Sequence, residues 1–383
     1  NNIGGTLLME DELDFDLLEK ALHLCIDRNE TLRIRIVNTD EEANALEQYF
    51  LLNTVKQYVD DGPHGTIKFV DFTGKSMEDM DQTVLEWNRR PIDIYSSPLY
   101  EFTMIKAPDG RCGIFSKLDH MITDAWTSAL LCKDIIEVYY ALKNNGQLPP
   151  PLYSYIGYLD IEKQYLNSER FLDDEAYWER VFEAPFLPSD IHDGEEWQTG
   201  ETNRMTVAFD SELSASILEF CKQHHLYPAI VFNAALGLCL YKFTGLTDVL
   251  YASTTMVRST VREKRTAGPL INNLNVRMPV DIEKPFGEFL KGFAKQQFEM
   301  LQHMKYPQLN LMRYVYTRHD THHMFDAAIA YQVGRIQTNI PVKFETKWYT
   351  SGYFALPLYI SVTDLDDTGS YLLYYEYQTE LFS

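Results

Sequence analysis

Two residues of this chain stand out for the chemistry their types and spacing allow: His120 and Asp124, four apart in LDHMITDAWT (118–127). An imidazole titrates near neutral pH, so a histidine held in a loop between rigid elements can work as a general base. An aspartate at a helix start also has a structural use, because the helix N-terminus favours negative charge and its first amides need acceptors. His-x-x-x-Asp arises by chance in many chains. Spacing alone therefore leaves two readings open, a catalytic base or a capped helix beside a surface histidine.

The elements that must position this pair are legible from periodicity. LYEFTMIK (99–106) and RCGIFSKL (111–118) flank APDG (107–110), where Pro presets φ and Gly tolerates φ > 0, so a hairpin is expected. A helix is expected from about Asp124 to Tyr140, with Trp126, Ala129, Leu130, Ile136, Tyr139 and Tyr140 on one face. The segment 119–124 thus sits where a strand hands over to a helix. Upstream, ELDFDLLEKALHLCIDRNE (12–30) reads as an amphipathic helix and TLRIRIV (31–37) as a half-buried strand. Downstream, strands are expected at 204–210, 249–256, 325–333, 356–362 and 372–378. SASILEFCKQHH, AIVFNAALGLCLYKF and 286–301 read as helices. Three consecutive prolines in KNNGQLPPPL (143–152) and the acidic, aperiodic stretch 182–203 mark a crossover. The boundary is placed between about 150 and 203, giving lobes 1–168 and 169–383. Strands and helices mixed in this way predict an α/β (α+β sandwich) class with two lobes.

Composition narrows the function classes. Apolar residues make up 45% of the 383, which excludes disorder for most of the chain. A net charge of −22 repels phosphate backbones and anionic bilayers, so no nucleic-acid and no membrane partner is expected. The apolar run 226–241 contains Pro228 and Asn233, is too short to span a bilayer, and reads as a buried helix. Five cysteines without paired spacing (Cys25, Cys112, Cys132, Cys221, Cys239) predict buried thiols in a reducing, cytoplasmic setting. No signal peptide opens the chain, which begins at Asn1 without Met. No GxGxxG, phosphate-loop or GxSxG pattern supports nucleotide or serine-hydrolase chemistry. HDTHHMFD (319–326) offers His319, His322 and His323, but no carboxylate or thiol spacing supports a metal site, and none is expected there. CKQHH (221–225) reads as the end of an amphipathic helix.

The segment 118–127 resembles the HHxxxDG active-site motif of nonribosomal peptide synthetase condensation domains, and the resemblance runs through nearly the whole chain. RNETLRIRI (28–36) is similar to that family's RHExLRTxF segment, and RRPIDIYSSPLYEFTMI (89–105) to its P-F-D-L-x-x-x-P-L-x-R stretch. The stretch from LPPPLYSYIGYLDIEKQYL to DDEAYWERVF resembles the linker and "YW" helix that follow the active site. YKFTGLTDVLYASTTMVRS (241–259) resembles tG-x-x-D-V-x-x-G-T-P-V-A-G-R. GPLINNLNVRMPV (268–280) resembles G-x-F-V-N-T-L-P-x-R, and LLYYEYQTELF (372–382) the last strand. The family's first motif has no counterpart here.

That resemblance implies two chloramphenicol-acetyltransferase-like lobes in a V-shaped pseudo-dimer with a central tunnel. It implies amide formation between an acyl thioester (aminoacyl, peptidyl or fatty acyl) and an aminoacyl acceptor. Both would be delivered on phosphopantetheine arms by donor and acceptor carrier proteins beside adjacent synthetase domains, with no cofactor bound by the domain itself. His120 takes the position of the catalytic histidine, as general base or as a stabiliser of the tetrahedral intermediate. Asp124 takes that of the structural aspartate, whose implied arginine partner is Arg33. Asn272 and Arg277 match second-lobe positions implied to brace the tunnel. Within RSTVREKR (258–265), the one basic cluster, Arg258 and Arg262 are either part of a solvated loop or contacts for an acidic carrier or its pantetheine phosphate.

Two departures flank the site, before Trp126. Asp119 replaces the first motif histidine and Ala125 the glycine. Asp119 and Asp124 also fit the DxxxxDxxS pattern of heterocyclization domains, with Thr127 in place of serine, although those domains generally lack a histidine at the position of His120. The same fold is also compatible with a stand-alone O-acyltransferase or an inactive docking domain.

Overall fold

A computed structural model describes residues 2–38, 55–95, 97–192, 199–321, 323–332, 336–363 and 369–382. They form two compact units, both discontinuous in sequence. The first comprises Asn1–Ile161, Arg258–Leu270 and Gly334–Ser351, and the second the remaining segments. This corrects the single cut at 168/169. Two stretches of the C-terminal half, 258–270 and 334–351, belong to the first unit, and neither carries a local signal of that membership.

The first unit is built on a five-stranded sheet in the order Phe344–Tyr349, Asn2–Met9, Cys112–Asp119, Tyr100–Lys106, Lys68–Asp71. All pairings are antiparallel except the last, which is parallel. Tyr100–Lys106 and Cys112–Asp119 are the expected hairpin. The strand Asn2–Met9 pairs Asn2 opposite Asp119, so the sheet ends where His120 begins. Against the sheet lies the helix Met77–Arg89, opened by a Ser76–Asp79 capping box. Its Met80 and Val84 are buried with Leu8, Ile105, Phe115 and Tyr349.

The helix Phe15–Arg28 starts at Asp14, whose side chain accepts from Leu17 N at 3.0 Å, and buries Leu18, Ala21, Leu22 and Cys25. It packs against the helix Ala125–Lys143. Tyr139 Oη accepts from Asp14 N at 3.0 Å, and Asp134 accepts from Asn29 Nδ2 at 3.1 Å. The strand expected at 31–37 begins late. Glu30–Arg33 is a turn of 3₁₀ helix and the strand runs Ile34–Asn38, which sends the Arg33 side chain elsewhere than an alternating strand would.

The second unit holds a six-stranded sheet in the order Thr202–Ala208, Leu372–Gln378, Leu358–Thr363, Ala327–Gln332, Asp248–Met256, Ile271–Pro279. Ala327–Gln332 is parallel to both neighbours, and the remaining pairings are antiparallel. The helices Pro228–Thr244 and Phe286–Gln302 pack on each other, and Trp178, Phe232, Leu236, Tyr251, Val276 and Phe293 lie in the same core. Each unit is thus a mixed α/β assembly, the fold class expected. Among the described residues no single helix is long and apolar enough to cross a membrane. The five thiols are free; four are buried as expected, but Cys239 is exposed.

Candidate active site

His120 is the first residue past the strand Cys112–Asp119, and the loop to the helix Ala125–Lys143 is fixed by its own backbone. Asp119 is buried. Its amide donates to Leu99 O at 2.8 Å, its carbonyl accepts from Ile122 N at 3.1 Å, and its Oδ1 accepts from Met121 N at 2.8 Å. Thr31 Oγ1 donates to Ile122 O at 2.6 Å. The Asp119 carboxylate therefore helps to fold the loop that carries His120. His120 itself is half-buried. Loss of solvation pulls its pKa below the ordinary histidine value, while a contact with its own backbone and the charges of Asp124 and Asp119 push the other way. The net direction favours the neutral imidazole, the form able to accept a proton.

Asp124 is the N-cap of the helix Ala125–Lys143. Its Oδ1 accepts from Thr127 N at 2.7 Å, and Oδ2 accepts from Leu270 N at 2.9 Å. The same Oδ2 lies 2.5 Å from Arg258 Nη1, with both side chains at or below 2% exposure. Arg258 also donates to Thr127 Oγ1 at 2.9 Å, Gly268 O at 2.8 Å and Leu270 O at 3.1 Å. Thr127 Oγ1 donates to Gly268 O at 2.7 Å and accepts from Gly268 N at 3.0 Å, so its one donor and two acceptor positions are all used. Gly268 sits at φ 153°, and a Cβ there would come within 2.4 Å of the Tyr155 ring. A capping box aims Arg258 inward: Glu263 accepts from the amides of Ser259 and Thr260, and Thr260 from Glu263 N. Trp126 Nε1 donates to Lys264 O at 2.9 Å, tying the helix start to the same segment, and Ala125 is half-buried beside it.

This arrangement corrects the pairing of Asp124 with Arg33. Arg33 leaves its 3₁₀ turn toward Asp61, with which it makes an ion pair, and Arg258 takes the place beside Asp124. The same contact removes Arg258 from the residues open to a carrier protein. Arg262 is exposed, its guanidinium 5.9 Å from the Tyr153 ring centroid, beside exposed Lys264 and half-buried Arg265. The signal that could have found Arg258 is its place at the closing arginine of the T-P-V-A-G-R run.

Asn272 and Arg277 lie in the second unit as internal braces. Asn272 Nδ2 donates to Met304 O at 2.9 Å and Tyr306 O at 2.6 Å. Arg277 pairs with Asp248 at 2.7 Å and donates to the carbonyls of Val181, Ala184 and Pro185. Of the histidine cluster, His319 contacts Phe182 O at 2.7 Å, and His322 lies outside the described residues.

The family model described as "Condensation domain" matches residues 2–383. A plipastatin synthase chain of Bacillus subtilis (strain 168) is 26% identical over 386 residues, covering 100% of this chain and 15% of that protein. Surfactin synthase subunit 1 of the same organism is 26% identical over 386 residues, covering 99% and 10%. Tyrocidine synthase 2 of Brevibacillus parabrevis is 22% identical over 309 residues, covering 80% and 8%. The chain thus spans a small fraction of these relatives. A variant of the starter condensation domain of rhizomide synthetase RzmA, in complex with C8-CoA, superposes with a TM-score of 0.84 at 18% identity, covering 100% of this chain and 85% of that one. The first condensation domain of the calcium-dependent antibiotic synthetase gives 0.83 at 18%, covering 100% and 86%. At such identities the likeness carries the fold.

Proposed function

The chain belongs to the condensation-domain family, and from that premise we propose that it joins a carrier-bound acyl thioester to a carrier-bound aminoacyl amine, with His120 as the reacting side chain. The acceptor nitrogen attacks the thioester carbon, a C–N bond forms, the C–S bond breaks, and the proton lost by the amine ends on the departing pantetheine thiol. Neutral His120 takes that proton as the bond forms, or holds the attacking amine and the charge that develops on the intermediate. The observation that carries this reading is a half-buried imidazole at the end of a sheet strand, on a loop bonded by Asp119 on one side and anchored at the helix start by Asp124 with Arg258 on the other.

Heterocyclization draws no support from the geometry. Asp119, on which that pattern depends, is buried and bonded to Met121 N, and Thr127 has its hydroxyl fully engaged. The partners in this reading are donor and acceptor carrier domains and their neighbouring synthetase domains, in the cytoplasm. The exposed cations Arg262 and Lys264 suit the acidic surface of a carrier or the phosphate of its arm.

The test is single-turnover condensation between two loaded carrier proteins, read by intact mass of the acceptor carrier. His120→Ala should lower the rate about 10²- to 10⁴-fold with the fold retained. With a cysteine-, serine- or threonine-loaded acceptor the product should stay a linear amide. A folded His120→Ala chain at wild-type rate, or a product lighter by one water, would overturn the reading.

A further inference from the structure

A second cluster of chemically capable side chains lies in the second unit, at the entrance to the strand Ala327–Gln332. The segment from Ser189 to His192 is stitched alongside residues 324–326. Ser189 N donates to Met324 O at 3.0 Å, Asp326 N to Ser189 O at 3.4 Å, and Leu250 N to Ser189 Oγ at 2.8 Å. The Asp326 backbone is anchored on its other side as well, because Leu358 N donates to Asp326 O at 3.0 Å. These bonds bring three ligating groups from two distant stretches of chain together. Asp190 Oδ1 lies 2.7 Å from His323 Nε2, Asp326 Oδ1 lies 3.4 Å from the same nitrogen, and the three atoms are all within 4.8 Å of one another.

Asp326 is the telling member. It is 0% exposed, and its two oxygens are treated differently. Oδ2 accepts from Ile191 N and from His192 Nδ1, each at 2.7 Å, whereas Oδ1 has no hydrogen-bond partner. A fully buried carboxylate oxygen without a hydrogen bond is costly. The nitrogen it faces, His323 Nε2 at 3.4 Å, makes a long ion-pair contact with it, while the single proton that Nε2 can carry lies nearer Asp190 at 2.7 Å. One proton is shared among groups that offer three ligands.

We infer that Asp190, His323 and Asp326 hold a divalent metal ion of the zinc class, a site that the spacing of HDTHHMFD did not suggest. Tetrahedral zinc with bonds of about 2.0–2.2 Å sets its ligand atoms about 3.4 Å apart. The Asp326–His323 separation already has that value, and the Asp190–His323 contact would open from 2.7 Å to reach it, a small movement for a part-exposed aspartate. One imidazole with two carboxylates favours zinc-class ions over calcium or magnesium, which prefer oxygen alone. His192, donating to the far oxygen of Asp326, is placed to orient that carboxylate from behind. The ion would clip the crossover segment to the strand entrance and close a long loop of the second unit.

The chain, stripped with chelator, is titrated with Zn²⁺ by calorimetry and with Co²⁺ by visible absorption. The expected result is one Zn²⁺ bound per chain, a rise in Tm reversed by chelator, and the d–d bands of four-coordinate Co²⁺. His323→Ala and Asp190→Asn should each abolish all three signals. The Asp190 side chain is 41% exposed, so its variant tests the site even where His323→Ala fails to fold. Absence of stoichiometric binding in the wild-type chain, or binding unchanged in a folded variant, overturns the inference. Condensation activity plays no part in the readout.

Discussion

Each unit carries an arginine–aspartate bridge whose guanidinium also serves backbone carbonyls, and the two bridges differ in where they sit. Arg258 and Asp124 in the first unit are sealed from solvent, at 1% and 2% exposure. Arg277 and Asp248 in the second are at 14% and 41%. The buried bridge gathers a helix cap, a Thr hydroxyl and the 268–270 backbone around the loop of His120. The more open bridge holds the chain at Val181–Pro185 to the Asp248–Met256 strand start. The same pair of residue types therefore carries different consequences. Removing one member of a sealed pair strands a charge where water cannot reach it, whereas a part-exposed partner is resolvated.

Arg258→Met is the strongest way to test that difference. It leaves Asp124 buried and unpaired, so unfolding free energy measured by denaturant should fall by about 3–5 kcal/mol. Condensation by the remaining folded chain should also drop, because the His120 loop loses its anchor. Adding Asp124→Leu to Arg258→Met removes the stranded charge and should restore part of the stability. About 1 kcal/mol should stay lost with the helix cap. A stability loss no larger than that of Arg277→Met would erase the distinction between the bridges.

Arg277→Met should cost less, about 1–3 kcal/mol, the scale of lost charge-assisted hydrogen bonds with solvent available to Asp248. The loss should appear in denaturant melts with the rate per folded molecule unchanged. A defect in rate comparable to that of Arg258→Met would place Arg277 in the chemistry after all.

How much of this is legible in the sequence follows the range of the interactions. The strand–loop–helix around His120 is readable because a Pro-Asp-Gly hairpin and an apolar helical stripe lie close to it in sequence, and local periodicity reports local structure. Asp124 as a helix cap is readable for the same reason. Its partner is not, since Arg258 is 134 residues away and only the fold brings it in. Arg33 is the partner implied by the likeness of RNETLRIRI to the RHExLRTxF segment, but here it lies in a 3₁₀ turn and pairs with Asp61. The strand Asn2–Met9 gives a weak signal because Gly4 and Gly5 dilute its pattern, and Phe344–Tyr349 because its alternation with charge imitates an exposed loop. The cluster at Asp326 draws a carboxylate, Asp190, from far upstream, beyond the reach of any spacing rule.

A subtler contrast concerns the proton on His120. Burial lowers its pKa in the folded chain, so below about pH 6.5 the unfolded chain binds the proton first. Its contribution is therefore present in full above about pH 6.5 and is lost as pH falls through the folded value. An NMR titration of the imidazole, assigned by difference with His120→Gln, should give a midpoint below about 6.5. Stability of the wild-type chain should fall more steeply than that of His120→Gln between about pH 7 and 5.5. A midpoint at or above the ordinary histidine value would mean that the loop leaves the ring in water.

The smallest effect is expected at Arg33, the arginine that the family resemblance paired with Asp124. Arg33 pairs with Asp61, whose side chain is 84% exposed, and an ion pair so open to water is worth about 0–1 kcal/mol. Arg33→Met keeps the apolar stem that lies against the fold and removes only the charge. It should shift the denaturation midpoint barely beyond error and leave the condensation rate within about twofold, because the loop of His120 is held by Arg258. Combined with Arg258→Met, its effect should simply add, since the two arginines share no partner among the described residues. A loss in Arg33→Met approaching that of Arg258→Met, or strong non-additivity in the double variant, would return Asp124 to Arg33 and undo the assignment on which the contrast between the two bridges rests.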